Sequence, residues 1–368
     1  MKQADMKLMI PGPVEVDPAV LAALSEPVEP HYGDAWVKKY ARVIDILSHI
    51  FGVSGKAYDV YLMVGSGTCA IDTSMSSSLM QGEKIIIGNN GFFGGRLIEV
   101  AQNAGLKVVE VPGEWGKQLD PQAIQAALSA NPDAKAVAVV HGETSTTVIN
   151  PVKEIGAIVA ESEAIYLVDA VSSFGGLPFD LKDWQVDICA SATQKCLGAL
   201  PGLAPIAVSP KAWKTIDRSF DKGHSWYTNL QNWRKYGTEW ADWHPTPVTM
   251  PTNNVNALLV ALEQLMDEGI EKRMQRYRSL ALRLRKGLRE AGMEPYTTDE
   301  MLNPVLTAAH APAGHNSSEI TRYLLNEHHI QIGGGLGHLK DVVFRVGHMS
   351  PVVTEGDIDR VVDALKAF

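Results

Sequence analysis

Cysteine is scarce in this chain: three in 368 residues, Cys69, Cys189 and Cys196, irregularly spaced. That excludes a disulfide framework and a four-ligand zinc site, so no metal is expected and a reducing compartment fits best. Long apolar runs are missing too. No segment offers the roughly eighteen uninterrupted apolar residues of a membrane span, and the opening MKQADMKLMIPGP lacks a signal-peptide core; a cytoplasmic protein with no membrane partner is expected. Positive charge is in deficit. Charged residues make up 20% of the chain and the net charge is −9, which argues against a nucleic-acid surface. What is there is 45% hydrophobic content, enough for a large core, on a chain long enough for two domains.

The first thirty residues carry Pro11, Pro13, Pro18, Pro27 and Pro30, which predicts an extended arm with one short helix near Pro18–Leu24. Helical spacing of apolar residues follows over Asp34–Phe51. From Ala57 onward short apolar runs alternate with helical segments: Val60–Val64, Ile85–Ile87, Val108–Val111, Ala136–Val140, Ile165–Val168, Ile188–Ala190 and Leu203–Val208. This grammar predicts an α/β fold with a mostly parallel seven-stranded sheet covered on both faces. Ligands in such sheets bind at the carboxyl ends of the strands.

Those ends carry polar residues of a consistent kind. Gly65-Ser66-Gly67-Thr68 precedes a helix beginning near Cys69, where glycines and free N–H groups can approach an anion; a tight turn capped by Thr68 would look the same. Phe92 and Phe93 stand among glycines and could offer a flat face, or simply pack. His141-Gly142-Glu143-Thr144-Ser145-Thr146-Thr147 puts hydroxyls and one acid where a polar ligand would sit, although Thr and Ser also serve turns. Asp169 ends one run and Lys195 follows another. A carboxylate on a ring nitrogen and a lysine on an aldehyde carbon are what a pyridine aldehyde needs. Either residue alone could be an ordinary cap or loop residue.

Together, SGT (66–68), NNGFFGGR (89–96), HGETSTTVINP (141–151), VDAVSSFGG (168–176), SATQKCLGALPGLA (191–204), GGGLG (333–337) and FRVGHM (344–349) resemble the class V aminotransferases of pyridoxal-phosphate fold type I. The nearest branch is the alanine–glyoxylate and serine–glyoxylate (pyruvate) group. The resemblance implies pyridoxal 5'-phosphate as cofactor, a small amino acid (alanine or serine) and a small 2-oxo acid (glyoxylate or pyruvate) as substrates, and a homodimer with interface sites. Lys195 would carry the cofactor and shuttle a proton, and Asp169 would hold the ring nitrogen protonated. Phe93 would stack on the ring, Thr144 would reach its oxygen, and Ser66, Gly67, Thr68 and Gln194 would hold the phosphate. Arg345 would clamp the substrate carboxylate, a task suited to a bidentate fork.

The pattern breaks in places. Thr147 replaces a glycine, although threonine tolerates positive φ poorly. In His244-Pro245-Thr246-Pro247, proline stands where the family brings a phosphate-binding threonine from the neighbouring subunit. Phe93 replaces a common tryptophan. The aromatic stretch Gly223–Trp243 is expected to line the mouth or a subunit contact, or to fold on itself as a surface loop.

Val255–Leu288 reads as one helix interrupted near Gly269 or two in series, with its basic residues on a solvated face. Strands at Val305–Ala309, Ile330–Ile332 and Val342–Val346 with helices Ser318–Glu327 and Glu355–Phe368 complete a small C-terminal α/β domain. The expected division is an arm at 1–15, a large cofactor-binding domain at 16–269 and a small domain at 270–368. Rival expectations are a 2-aminoethylphosphonate-type transaminase, a desulfurase-like lyase, weakened by the lack of cysteine near 333–339, and a catalytically silent binding protein of the same fold.

Overall fold

The computed structural model describes residues 6–218 and 225–368. Its strands are β1 (Lys7–Met9), β2 (Asp59–Val64), β3 (Lys84–Asn89), β4 (Lys107–Pro112), β5 (Ala136–Val140), β6 (Gly142–Glu143), β7 (Val148–Ile149), β8 (Ile165–Asp169), β9 (Ile188–Ala190), β10 (Leu203–Val208), β11 (Leu306–His310), β12 (Ile330–Gly334) and β13 (Val343–Gly347). Seven of them form one sheet in the order β2-β10-β9-β8-β5-β3-β4, each at the run of apolar residues that predicts it. Strand β10 alone runs against its neighbours. Strands β5, β8 and β10 are buried along their whole length, because helices cover both faces; this is why they read as unbroken apolar runs rather than alternating ones.

The connecting helices position the strand ends. Asp34–Ile50 turns Trp36, Tyr40, Val43, Ile46, Leu47 and Ile50 into the core at the predicted spacing. Gly67–Ser78 starts two residues earlier than expected from Cys69, and Phe92–Asn103 follows β3 after only two intervening residues. The β6–β7 hairpin sits immediately beyond β5.

A second sheet, ordered β1-β12-β13-β11, has its own core around Tyr277, Leu284, Ile320 and Phe344. Two of its features have no counterpart in the sequence pattern. Three residues of the arm form β1, parallel to β12 with Lys7 opposite Ile330 and Met9 opposite Ile332. Met9 and Val14 from the arm, and Cys196 from beside the lysine, join this second core. The arm therefore threads between the two sheets.

Gly269, at φ +87°, separates the helices Thr252–Glu268 and Ile270–Glu290. The basic stripe of the latter is not wholly solvated as expected. Arg273 and Arg285 are buried, held by Glu268 and Asp299 at 2.6 Å each, while residues such as Lys286 remain exposed. Buried guanidinium groups need such partners to offset lost hydration.

Candidate active site

A cleft with an empty volume of about 650 Å³, its open mouth included, lies at the carboxyl ends of β2, β3, β5, β8 and β9, a size that suits a cofactor with a small substrate. Ser66, Gly67, Thr68, Phe93, Thr144, Asp169, Gln194 and Lys195 all line it. Arg345 reaches its edge from β13: Nη1 donates to the Thr144 carbonyl at 3.0 Å and Nε to the Gly334 carbonyl at 2.7 Å. Thus nine residues spread over 280 positions of sequence meet because parallel strands end on one side of a sheet and a second sheet leans over that edge.

Adjacent strands set the spacing of the two central groups. Asp169 pairs in register with Ala190, and Lys195 follows five residues later. Burial lifts the Asp169 carboxyl to about 7; the Val171 N–H, donating to Oδ1 at 2.8 Å, opposes the lift, nearby Glu143 adds to it and Lys195 opposes it. Burial also lowers Lys195 to about 8; Cys196 opposes, Arg345 adds, and Asp169 opposes. A lysine so placed is partly neutral near physiological pH, as a nucleophilic amine must be. Burial brings Arg345 down to about 10, against the pull of Glu143, and it remains a cation.

The start of helix Gly67–Ser78 faces the cleft with the features of an anion-binding turn. Ser66 occupies the N-cap position with extended backbone but its hydroxyl caps nothing, which leaves the first-turn N–H groups without a side-chain acceptor. A Cβ on Gly67 would stand 2.5 Å from Val171 Cγ2, so glycine lets this turn approach the segment that follows β8. Gln194 Oε1 is buried at the cleft without a hydrogen-bond partner.

Glu143 does not sit in the cleft as a ligand group. Its Oε2 accepts from the N–H groups of Phe93 (3.0 Å) and Gly94 (3.1 Å), and Oε1 accepts from the N–H (3.0 Å) and hydroxyl (2.6 Å) of Ser145. The carboxylate is thus a cap for helix Phe92–Asn103 and fixes Phe93 against the hairpin. Gly91 is required beside it, since a Cβ there would stand 2.3 Å from Glu143 Cδ. Nothing short of this contact across 50 residues reveals the role of Glu143; the glycines around Phe92 and Phe93 are its only sequence trace.

Thr147 does adopt φ +58°, the left-handed conformation that glycine would take without strain. Thr246 is fully buried and its hydroxyl donates to the Val248 carbonyl at 3.2 Å, an inward assignment. In the aromatic stretch, Gly223 and His224 lie outside the described residues. Of the remainder, Trp233 is buried, Trp226, Trp240 and Trp243 are exposed, and none lines the cleft. Two further residues with polar side chains at the cleft belong to no expected site: Arg96, one helical turn beyond Phe93, and Ser172, whose hydroxyl donates to the Gly142 carbonyl at 2.6 Å.

A buried lysine, an acid at the neighbouring strand end, an uncapped helix start and an arginine beside the cleft form a donor set that fits a phosphorylated pyridine aldehyde. The comparisons agree. The class-V aminotransferase family model matches residues 50–353. An uncharacterized aminotransferase of Methanocaldococcus jannaschii is 38% identical over 93% of this chain and 87% of its own length. Mouse alanine–glyoxylate aminotransferase is 30% identical over 98% of this chain and 86% of its own. The crystal structure of a Nostoc alanine–glyoxylate aminotransferase superposes with a TM-score of 0.93 at 30% identity, over 99% of this chain and 95% of that one. The chain belongs to the class-V aminotransferases, enzymes of pyridoxal-phosphate fold type I.

Proposed function

We propose that this enzyme moves an amino group from a small amino acid, alanine or serine, to glyoxylate or pyruvate in a two-stage, ping-pong reaction. The observation that carries the proposal is that Lys195 and Asp169 line one cleft, with Arg345 tied to the carbonyl of its Thr144 wall, and that the size of the cleft suits a cofactor with a short substrate. Bound there, pyridoxal phosphate would supply an aldehyde to take the amino group and a ring to accept the electron pair left at the substrate α-carbon.

In this reading the chain's residues divide the work. Ser66, Gly67, Thr68 and Gln194 hold the phosphate, the first three through N–H groups and hydroxyls at the positive end of a helix. Phe93 covers the ring face, Thr144 turns its hydroxyl to the ring oxygen, and Asp169 keeps a proton on the ring nitrogen. Arg345 orients the substrate carboxylate. Lys195 Nζ would remove the α-proton and deliver it to the carbon on the far side of the transferred nitrogen, two bonds away, a transfer for which its lowered pKa is suited. The reading extends to a cytoplasmic homodimer. No described helix is long and apolar enough to cross a membrane.

Single half-reactions test the donor: alanine or serine should discharge the cofactor absorbance within one turnover, and 2-aminoethylphosphonate should not. Discharge by the phosphonate alone would replace the proposed donor with the rival one.

A further inference from the structure

We infer that the Pro11–Gly12 turn of the arm is a positioning element for Lys195, its carbonyl receiving Nζ whenever the lysine is not bonded to cofactor. The inference rests on the reading of Lys195 as the cofactor-bearing lysine.

Lys195 Nζ donates to the Pro11 carbonyl. The contact exists because residue 12 is glycine: its φ is +100°, and a Cβ there would stand 2.5, 2.7 and 2.9 Å from Cδ, Nζ and Cε of Lys195. A side chain there would push the lysine aside, and the left-handed φ strains any residue but glycine. The turn is also fixed from outside. Val14 N–H donates to the Gln194 carbonyl at 3.1 Å, Ser350 Oγ donates to the Glu15 carbonyl at 2.5 Å, and β1 is paired along β12. Gly333, opposite Arg345 in the small sheet, lets Pro11 pass; a Cβ there would stand 2.9 Å from Pro11 Cδ.

An acceptor on Nζ favours the ammonium form. It therefore works with Asp169 and Cys196 against burial and the Arg345 charge, the other groups that act on this lysine. The arm thus holds the released amine in place and in proton, and does so through a turn wedged between the lysine and the strand that carries Arg345.

The test is the pH profile of Lys195 acetylation by acetic anhydride pulses on the full-length, cofactor-stripped protein, read by peptide mass. Gly12→Ala should lower the midpoint by about one pH unit, from about 8 toward about 7, roughly a fivefold rise in neutral amine at pH 7. Gly333→Ala, pressing Pro11 from the other side, should move it in the same direction. Gly116→Ala is the control. Its φ of +90° and a Cβ contact of 2.9 Å to Tyr296 impose similar strain outside the cleft, so it should lower the melting temperature and leave the midpoint unchanged. An unmoved midpoint in Gly12→Ala, or in Gly333→Ala should the first variant not fold, overturns the inference; so does an equal shift in Gly116→Ala. Loss of cofactor labelling at Lys195 would instead remove the reading beneath it.

Discussion

Arg345 Nη1 donates to the Thr144 carbonyl at 3.0 Å, so a guanidinium carried by the small sheet is tied to the hairpin that follows β5 in the large one. Nε is held by Gly334, which leaves Nη2 and the outer edge of the fork for a ligand. The contact brings the small sheet to the cleft without involving the start of helix Gly67–Ser78.

From this separation, Arg345→Ala should raise KM for the carboxylate substrate on the order of 30-fold, the value of a charge-assisted hydrogen bond, with cofactor retention nearly unchanged. Steady-state kinetics beside dialysis against buffer checks it. Equal loss of both would take Arg345 out of substrate binding. Arg345→Lys should not restore KM, because a point charge replaces a planar fork.

The raised pKa of Asp169 makes the cofactor-free protein pH-sensitive. Between the ordinary carboxylate range and about 7 the folded chain keeps a proton that the unfolded chain has lost, so stability falls as pH rises through that window and levels above it. Across the window the loss is at most about 1.4 kcal/mol for each pH unit. Denaturation midpoints at pH 5 and pH 8 should therefore differ in wild type, and Asp169→Asn should flatten the difference. For Lys195 the sign is opposite: its lowered pKa costs stability below about 8, and that cost fades as pH rises toward the ordinary lysine value.

Glu143→Gln should lower stability by about 2–3 kcal/mol in urea unfolding, because a neutral amide cannot accept all four donors that converge on the carboxylate. The same variant should blue-shift or broaden the bound cofactor's absorbance through a loosened Phe93. A stability loss below about 0.5 kcal/mol would mean that the cap is dispensable.

Thr147→Gly should stabilise the protein by about 1 kcal/mol, since a β-branched residue at φ +58° is relieved and a buried hydroxyl without a partner is removed. Destabilisation in the same assay would show that the threonine methyl packs more strongly than the backbone strains.

The seven-stranded sheet was legible because its central strands are covered on both faces and so appear as compact Val, Ile and Ala runs with glycine or proline near their ends. Strand β1 was not: three residues reading Lys-Leu-Met carry no period, and their state is set by pairing with Ile330–Ile332, more than 300 positions away. The reversed direction of β10 is likewise a property of the sheet, not of its own residues. At the site, residue types and order pointed to Lys195 and Asp169, whereas the employment of Glu143 as a cap, of Gly12 as a passage for the arm and of Arg96 at the rim depends on contacts between distant segments. The basic run after Gly269 misled for the same reason, because Arg273 and Arg285 find Glu268 and Asp299 only once the chain has folded.

Lys195 is the residue to which we propose the cofactor is joined. Reducing the purified enzyme with borohydride and mapping the labelled peptide by mass tests it directly. The adduct should lie on Lys195 alone, and Lys195→Ala should abolish it while the protein still folds; an adduct on another lysine, or a coloured wild-type enzyme that reduction leaves unlabelled, would contradict the account.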